Sequence, residues 1–399
     1  MAAKGITDKV AIVGMGCIRF GELWDKSLDD MIVEAAYQAL EDAGIGPEKI
    51  DAYWFGTCNS GFCGITLSEP LKIQYKPVTR VENFCATGTD AFRNACYAVA
   101  SGAYDVALVV GAEKLKDSGY SGLVIPPQPD DGTKPNYSAP AAFSLLAPAY
   151  FKKYGLEAGQ GKEVLARIAW KNHRNGAKNP KAQFRQEITM EQIINSPLVA
   201  APLGIMDCSG VADGAAAAVI VRSEDAPRYR KDPIFVKALS IICGPNHGGL
   251  HQDYDFTTVR ETYMAGLDAY GQAGITDPAG QISMAEVHDC FTPTELVIYE
   301  DLGFSRRGGG WADVLNGDFD LTGRLPVNPD GGLKSFGHPI GASGLRMLYE
   351  MYLQLQGRAG ERQIDNPKLG LTHNMGGFPW WCVASVCIVG KEPGAREGR

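Results

Sequence analysis

An internal repeat constrains the fold of this chain more than any other feature of its sequence. Residues 35–56 read AAYQALEDAGIGPEKIDAYWFG, and residues 265–288 read AGLDAYGQAGITDPAGQISMAEVH. Each segment has helical periodicity, stops at an Ala-Gly-Ile sequence containing Gly44 or Gly274, and continues as a β-rich stretch. A repeat of this kind indicates two similar structural units rather than one irregular domain.

A second pair of segments sets the register of the repeat. CATGTDAFRNACYAVASG, which begins at Cys85, corresponds to HPIGASGLRMLYEMYLQLQG, which begins at His338, when Gly88 is aligned with Gly341. Cys85 then falls opposite His338, and each precedes a predicted helix and then an apolar strand. The alternation of strands and helices predicts an α/β fold in which two duplicated units are related by a pseudo-twofold axis.

Length, charge and cysteine content exclude several classes of protein. The 399 residues are enough for two or three packed units. Lys and Arg number 38 against 46 Asp and Glu, for a net charge of −8, which argues against a nucleic-acid partner. No apolar run approaches the ~18 residues of a membrane helix. Because the N-terminus carries no apolar leader, we expect the ten cysteines to be reduced and the protein to be cytoplasmic.

The stretch between the two repeats differs from both in composition. Four prolines punctuate it between Pro126 and Pro135, and a basic stretch with helical character runs from Trp170 to Arg185. We therefore predict a loop domain, residues 115–205, inserted into an N-terminal core domain of residues 1–114 and 206–230. Residues 231–399 then form the C-terminal core domain.

Two patterns that suggest binding sites are weak. Gly14-Met15-Gly16 follows a predicted strand, but a dinucleotide-binding loop needs a third glycine where this chain has Arg19, so a tight turn is the better interpretation. Cys58 and Cys63 have no second Cys or His pair at ligand spacing. We therefore expect no metal site.

Cys85 is the strongest candidate for a chemical role. It precedes a predicted helix, whose unpaired amides and dipole are expected to lower the pKa of the thiol and favour the nucleophilic thiolate; the alternative is a buried structural cysteine. His338 is its mate in the repeat, and a nucleophile and an imidazole at equivalent helix ends can meet across the axis. His288 is a second imidazole for that cleft, and the backbone amides of Gly376 and Gly377 are candidates to bind an oxyanion.

At this point the sequence resembles the thiolase superfamily, and within it the thiolases related to sterol carrier protein X. The motifs that carry the resemblance follow the family's order through most of the chain. They are Cys85-Ala86-Thr87-Gly88, Lys171 to Gly176, Asp213 to Ala218, His288-Asp289-Cys290-Phe291, Gly337-His338-Pro339 and His373-Asn374.

The resemblance implies a thiolase fold, with duplicated βαβαβαββ core domains in a five-layered αβαβα arrangement, an inserted loop domain, and assembly as a dimer. It implies an acyltransferase that cleaves a 3-oxoacyl-CoA, as in β-oxidation, or runs the reverse Claisen condensation, through an acyl-S-Cys85 intermediate. His338 would be the base for Cys85, and His288 and His338 would bind the enolate oxygen. Coenzyme A is the co-substrate, and no bound cofactor is implied.

Contacts to coenzyme A are expected in and around the inserted segment. Its 3′-phosphate and pyrophosphate need cations, and Arg174 and Lys178 provide them on an otherwise acidic protein. Ser335 and Asn374, in the motifs of the second half, are further candidates for substrate contacts.

One position departs from the family's pattern. Thiolases of this kind usually carry a second catalytic cysteine a few residues before the His-Asn motif, where this chain has Gly370. Either His288, His338 or another group then moves the α-proton, or the reaction is not ordinary acetyl transfer. Similar chains that lack the cysteine look like the type that works with a small zinc-ribbon/OB-fold protein, so we expect such a partner in addition to a homodimer.

Two other functions remain open at this stage. One is a retro-aldolase lyase or a different C-acyltransferase on the same fold, and the other is a non-catalytic subunit that binds acyl-CoA or lipid. The acyl group also stays open between acetoacetyl-CoA and an aromatic substrate such as benzoylsuccinyl-CoA. Phe378, Trp380 and Trp381 favour an aromatic pocket, and the alternative for them is an ordinary apolar strand.

Overall fold

The computed structural model of the chain describes residues 5–117, 138–245 and 254–393, so the proline-punctuated stretch from Pro126 to Pro135 lies outside the described residues. The strands are β1 (Val10–Cys17), β2 (Ala52–Gly56), β3 (Val78–Val81), β4 (Val106–Glu113), β5 (Leu198–Ala200), β6 (Leu203–Gly204), β7 (Gly214–Arg222), β8 (Ile234–Cys243), β9 (Met284–Glu286), β10 (Leu369–Phe378) and β11 (Trp381–Gly390). The helices are α1 (Leu28–Ala43), α2 (Ile65–Ser68), α3 (Thr87–Ala100), α4 (Ala139–Ser144), α5 (Leu146–Tyr154), α6 (Ala158–Ala177), α7 (Met190–Ile194), α8 (Arg260–Ala273), α9 (Pro278–Gln281), α10 (Thr292–Asp301), α11 (Gly310–Asn316), α12 (Gly332–Phe336) and α13 (Ile340–Leu355).

The strand order confirms the mixed α/β fold and makes the repeat visible. Among the described residues the large sheet has the order β3-β2-β4-β7-β1-β8-β11-β10-β9. In the first half β1, β7 and β4 pair antiparallel and β2 adds parallel to β4; in the second half β8, β11 and β10 pair antiparallel and β9 adds parallel to β10. The halves join where β1 pairs with β8, through Ala11–Phe235 and Ile12–Ile234.

Helices cover the sheet in layers, which explains why its strands are apolar along almost their whole length. Helix α1 packs on β1 and β7, and α8 packs on β8 and β11. Helices α3 and α13 pack on each other, and both also pack on β4 and β7. The Ala-Gly-Ile stops of α1 and α8 are also alike, because Gly44 and Gly274 both adopt the left-handed conformation at φ 69°.

The first turns of α3 and α13 meet at backbone distance. A Cβ atom on Gly88 would lie 2.9 Å from the Gly341 carbonyl oxygen, and one on Gly344 would lie 2.5 Å from the Thr89 nitrogen. Only glycine allows two helices to approach so closely at these positions. This contact brings the residues that precede the two helices, Cys85 and His338, into one place.

The segment between the halves contributes α4 to α7 and the small β5–β6 ribbon. Helix α6 ends at Ala177, before the end of the predicted basic stretch at Arg185. Pro180 follows shortly after Ala177 and cannot continue a helix. This helix packs against α10, α11 and α12 of the second half. Within the described residues no helix is long and apolar enough to cross a membrane.

Candidate active site

Cys85 lies in a tight turn between β3 and α3. Phe84, the preceding residue, has a positive φ of 48°, and the amides of Ala86 and Thr87 donate to the carbonyl oxygens of Asn83 and Phe84. The Asn83 amide in turn donates to Thr87 Oγ1 at 2.8 Å. A non-glycine residue in the left-handed region is held there only by its surroundings, so this turn fixes the direction in which the Cys85 thiol points.

His338 contacts Cys85 directly, with Nε2 at 3.2 Å from Sγ. Its other nitrogen, Nδ1, lies 2.8 Å from Ser343 Oγ, and the Ser343 hydroxyl donates to the Pro339 carbonyl oxygen. Because that hydroxyl proton is already used, Ser343 accepts the Nδ1–H of His338. The Nε2 atom is then left with a lone pair directed at the thiol, which is the tautomer that a general base requires.

The protonation states differ from the sequence-based expectation. Burial, and after it the charge of Glu113, raises the pKa of the Cys85 thiol to about 12, so the prediction of a lowered pKa was wrong. Burial, followed by the charge of Arg346, lowers the pKa of His338 to about 3. Cys85 and His338 therefore rest as a neutral thiol and a neutral imidazole, and the proton moves to Nε2 when the sulfur attacks.

His288 completes the cluster from the loop after β9. One ligand atom from each of Cys85, His288 and His338 lies within 4.8 Å of the other two. The neighbouring residue Asp289 holds this loop, since its carboxylate accepts from the Leu333 and Lys334 amides at the start of α12 and from Asn172 of α6. Burial, and next to it the nearby His338, keeps the pKa of His288 well below its usual value, so this imidazole is also neutral.

The Cys85 thiol lines an apolar cavity that opens to solvent. Phe378 and Trp381 lie on its wall, whereas Trp380 stacks behind Phe378 with ring centroids 5.4 Å apart. The aromatic residues near the Gly376-Gly377 turn thus form part of a pocket. The lining residues are Phe84, Cys85, Ala139, Phe143, His288, Cys290, Phe291, Ile340, Gly377, Phe378 and Trp381.

Cys290 is a functional candidate that the sequence reasoning missed, although it stands inside the quoted His-Asp-Cys-Phe motif. It is buried, lines the same cavity as Cys85 and His288, and has Thr294 Oγ1 at 3.8 Å from its sulfur. Burial, followed by the charge of Cys85, raises its pKa well above the usual value, so it is a neutral thiol with a proton to give. Cys290 is far from Cys85 in the sequence, so the sequence alone did not show that the two thiols share a cavity. Its neighbour in the motif, His288, was a signal that could have identified it.

The structure corrects the interpretation of Gly370. A Cβ atom at this position would lie 2.6 Å from Met351 Sδ and 3.1 Å from Met284 Cε, in the apolar core behind the sheet. A cysteine there would not reach the cavity. The absence of a thiol at residue 370 therefore has no bearing on the proton chemistry, and the part of β10 that approaches the cavity lies several residues further on.

Gly376 and Gly377 do lie beside the nucleophile. A Cβ atom on Gly376 would be 2.5 Å from the Asn83 carbonyl oxygen and 3.0 Å from the Cys85 nitrogen, so only glycine lets β10 pass the turn at this distance. Gly377, at φ 104°, lines the cavity itself. Their proximity to the Cys85 amide is compatible with the predicted oxyanion site.

Asn374 and Ser335 are placed behind the site, away from the cavity lining. Asn374 Oδ1 accepts from Thr89 Oγ1 at 2.7 Å, and its Nδ2 lies 3.2 Å from Met347 Sδ. The buried Ser335 hydroxyl donates to the Phe184 carbonyl oxygen at 2.7 Å. The Asn374 side chain therefore joins the two halves, and the Ser335 side chain joins α12 to the segment that follows α6.

Arg174 and Lys178 lie in a separate depression, together with Trp170, Asn175 and Asp320. The exposed Arg174 guanidinium stacks over the Trp170 ring at 5.1 Å. Lys171, in the same basic stretch, is buried and pairs with Glu295 at 2.8 Å, so it serves the core and not a ligand.

Family and sequence comparisons agree with this geometry. Residues 10–224 match the family described as thiolase, N-terminal domain, and residues 244–391 match the thiolase C-terminal domain-like family. The acetyl-CoA acetyltransferase of Methanothermobacter thermautotrophicus is 37% identical over 378 residues, which cover 92% of this chain and 96% of the relative. Sterol carrier protein 2 of Homo sapiens is 32% identical over 394 residues, covering 92% of this chain and 70% of the relative.

Solved structures extend the comparison. The structure named Ltp2-ChsH2(DUF35) aldolase is 26% identical, with a TM-score of 0.82 and coverage of 97% of this chain and 98% of that chain. A monomeric SCP2-thiolase-like protein from Mycobacterium smegmatis has a TM-score of 0.74 at 18% identity, covering 98% of this chain and 78% of that chain, which shows a common fold.

Proposed function

The chain belongs to the thiolase family, and from that premise we propose that it cleaves a 3-oxoacyl-CoA with coenzyme A, or forms one by Claisen condensation, through an acyl group on Cys85. The observation that carries the proposal is the 3.2 Å contact between Cys85 Sγ and His338 Nε2 beside an apolar cavity that opens to solvent. A thiol beside an imidazole of fixed tautomer is the arrangement that cysteine nucleophiles need.

The first step forms the acyl-enzyme. His338 takes the Cys85 proton on Nε2 as the sulfur attacks the 3-oxo carbon, and the amides near Cys85 and Gly377 stabilise the oxyanion of the tetrahedral intermediate. The bond between carbons 2 and 3 then breaks, and its electron pair passes to the thioester oxygen as an enolate. His288 lies within reach of the same reacting atoms and stabilises that oxygen.

The enolate needs a proton at carbon 2, and Cys290 is the group we propose to supply it. Cys290 is a protonated thiol on the wall of the same cavity. Coenzyme A then attacks the acyl group on Cys85; its thiol proton restores Cys290, and the proton on His338 returns to Cys85. Substitution of Cys290 by Ala should stop exchange of the α-protons of acetyl-CoA with deuterated water, while acylation of Cys85 by acetyl-CoA continues.

The test of the whole proposal is to trap the acyl group. The protein is mixed with acetyl-CoA and with acetoacetyl-CoA, quenched in acid, and its peptides are analysed by mass spectrometry, with Cys85→Ala as the control. We expect an acetyl adduct on the Cys85 peptide alone. Turnover without any adduct would favour a retro-aldolase, which needs no acyl-cysteine and which is supported by the relative named Ltp2-ChsH2(DUF35) aldolase.

We propose that the acyl group is aromatic or otherwise apolar and bulky. Five of the eleven residues that line the cavity carry Phe or Trp side chains: Phe84, Phe143, Phe291, Phe378 and Trp381. Rings stack on rings, so an aromatic 3-oxoacyl-CoA of the benzoylsuccinyl type gains contacts that acetoacetyl-CoA does not make. The ratio of kcat/KM for benzoylacetyl-CoA to that for acetoacetyl-CoA tests this, and a ratio below one contradicts it.

For coenzyme A we propose phosphate contacts from Arg174 and Lys178, within an inserted loop domain of residues 115–205. The exposed Arg174 and the half-buried Lys178 are available to a ligand, whereas Lys171 is not. Charge reversal of both should raise the KM for coenzyme A. A matched control reverses Lys153 and Arg260, which line a different basic depression. If only the control raises the KM, the phosphates bind there instead.

We propose that the protein binds two kinds of partner: a small accessory protein and a second copy of itself. A relative's name joins Ltp2 to a second component, ChsH2(DUF35), which supports an accessory protein of the zinc-ribbon/OB-fold type. Self-association is supported by the exposed Phe62, Ile65 and Tyr75, which flank β3 at the edge of the sheet. Light scattering of the protein alone and with the co-expressed partner, with Phe62→Asp as a variant, tests both.

A further inference from the structure

We propose that Cys85, His288 and His338 together form a zinc-binding site, and that Zn²⁺ bound there blocks the enzyme reversibly. Their ligand atoms lie within 4.8 Å of one another and all three residues are buried. In residues 5–117, 138–245 and 254–393 this is the single group of three such side chains close enough to share an ion. Zinc binding rests on this geometry alone, whereas inhibition also rests on the proposed function of Cys85.

The donor set suits zinc. Thiolate sulfur and imidazole nitrogen are its preferred ligands, with Zn–S near 2.3 Å and Zn–N near 2.0 Å, so tetrahedral coordination sets sulfur and nitrogen roughly 3.5 Å apart. The Cys85 Sγ to His338 Nε2 distance of 3.2 Å is already close to that separation. Small side-chain rotations would therefore admit the ion.

His288 is available as the third ligand. Its Nδ1 is buried and has no hydrogen-bond partner among the described residues. His338, by contrast, is oriented by Ser343 through Nδ1, which leaves Nε2 for the metal. A ligand histidine whose second nitrogen is held by a hydrogen bond is a usual feature of zinc sites.

The cavity supplies the fourth position. Because it opens to solvent beside Cys85 and His288, a water molecule can complete a tetrahedron of three protein ligands. Local sequence patterns do not reveal this site, since Cys85 and His338 are 253 positions apart and the three ligands come from separate turns. Spacing rules for zinc sites find only ligands that are close in sequence.

Zinc binding breaks the Cys85 S–H bond and forms bonds between the metal and its ligands. The Cys85 S–H bond breaks, its proton leaves to the buffer, and a Zn–S bond forms, while His338 Nε2 exchanges its hydrogen bond to the thiol for a bond to the metal. The sulfur lone pair and both imidazoles are then occupied. The thiol cannot attack an acyl-CoA until a chelator removes the ion.

The experiment has two readouts that do not depend on turnover. Protein dialysed against a chelator and then into chelator-free buffer is titrated with Co²⁺, and the sulfur-to-cobalt charge-transfer band in the near ultraviolet reports a thiolate ligand. In parallel, one equivalent of Zn²⁺ is added before iodoacetamide, and Cys85 alkylation is measured by peptide mass spectrometry. We expect a band that saturates at one equivalent, and protection of Cys85 that EDTA reverses.

Variants locate the ion. Loss of a residue that hydrogen-bonds to a metal ligand typically weakens metal binding roughly 10- to 100-fold. Because His288 is itself a ligand in the proposed site, His288→Ala and His288→Gln should each weaken zinc binding at least that much in a competition assay against Co²⁺. Cys63→Ser, which removes an exposed thiol outside the cluster, should leave affinity unchanged. Unprotected Cys85 in saturating zinc, or equal affinity of the His288 variants and the parent, overturns the site. Protection and a cobalt band in a protein that lacks turnover would leave the zinc site intact and refute the proposed function.

Discussion

The starts of α3 and α13 occupy equivalent positions in the two halves and serve two different purposes. Cys85 comes immediately before the N-cap residue Ala86, and His338 comes immediately before the N-cap residue Pro339. Neither helix is capped by the side chain of its own N-cap residue. In α13 the Gly341 amide instead donates to Glu113 Oε2, from the first half, at 3.0 Å. Duplication thus supplied two equivalent positions, and the sequence placed the nucleophile at one and its base at the other.

The two helices differ seven residues beyond their N-caps. Arg93 is partly exposed and pairs with Asp90 on its own helix. Arg346, its counterpart, is fully buried and pairs with Glu286 and Asp330, each at 2.6 Å. Burial, and after it the positive charge of Arg346, keeps the pKa of His338 low. The two halves therefore share an order of strands but differ in charge at this position, and the buried Arg346 lowers the pKa of the base.

Removing the nucleophile from the α3 side should have the largest effect. Cys85→Ala should lower turnover by at least about 10⁴-fold, because the thiol that sits against the His338 base and carries the acyl chain is lost. Steady-state assays and circular dichroism check activity and fold together. Residual activity of more than a few per cent would contradict the assignment of Cys85 as the nucleophile and His338 as its base.

Removing each imidazole separates their roles. His338→Ala should slow iodoacetamide alkylation of Cys85 by roughly 10²-fold, since the thiol loses its proton acceptor. His288→Ala should leave alkylation nearly unchanged and slow carbon–carbon cleavage by about 10²- to 10³-fold, since it stabilises only the enolate. Equal effects of the two substitutions on alkylation would contradict this division.

The contact between the helices can be broken without touching either catalytic side chain. Gly88→Val places a side chain against the Gly341 carbonyl oxygen, and overpacking of this kind costs about 1–3 kcal/mol of the free energy of unfolding. Gly271→Ala is the matched control, because a Cβ atom there meets nothing within 4 Å and helix propensity favours Ala by about 0.5–1 kcal/mol. Urea denaturation of both variants measures the difference; similar stabilities would mean that the helices do not meet as described.

A smaller change tests the orientation of the base. Ser343→Ala removes one hydrogen bond from His338, worth about 1–1.5 kcal/mol, so kcat should fall about tenfold with little change in KM. Ser343→Thr keeps the hydroxyl and should restore most of the rate. A purely structural role would instead lower the stability of both variants without this difference in kcat.

Sequence alone predicted the repeat, the helix stops and the meeting of Cys85 with His338, because glycine spacing and periodicity are local signals that both halves display. It failed where an outcome depends on surroundings. Helix-end arguments predicted a lowered pKa for Cys85, but burial dominates once the chain is folded. Gly370 was chosen from its distance to a motif, yet a strand alternates its faces, and position 370 faces Met351 in the core.

The roles of the remaining site residues also depend on surroundings that form only in the folded chain. Asn374 and Ser335 are polar residues in recognisable motifs, but the structure uses them to join segments far apart in sequence. Cys290 is distant from Cys85 along the chain, and only the closed fold brings its thiol to the same cavity. The division into core and loop domains, and the contacts with coenzyme A, stay predictions.

The distance along the chain between the two helix starts has a consequence for biosynthesis. Ribosomes make Cys85 early, but its partner lies 253 residues later, and the Thr89–Asn374 bond that fixes α3 spans 285 residues. Contacts of such long range form late, and N-terminal segments wait for them with their apolar faces uncovered. The thiol of a nascent chain is therefore unshielded by its folded partners until α13 and the β10–β11 hairpin have emerged.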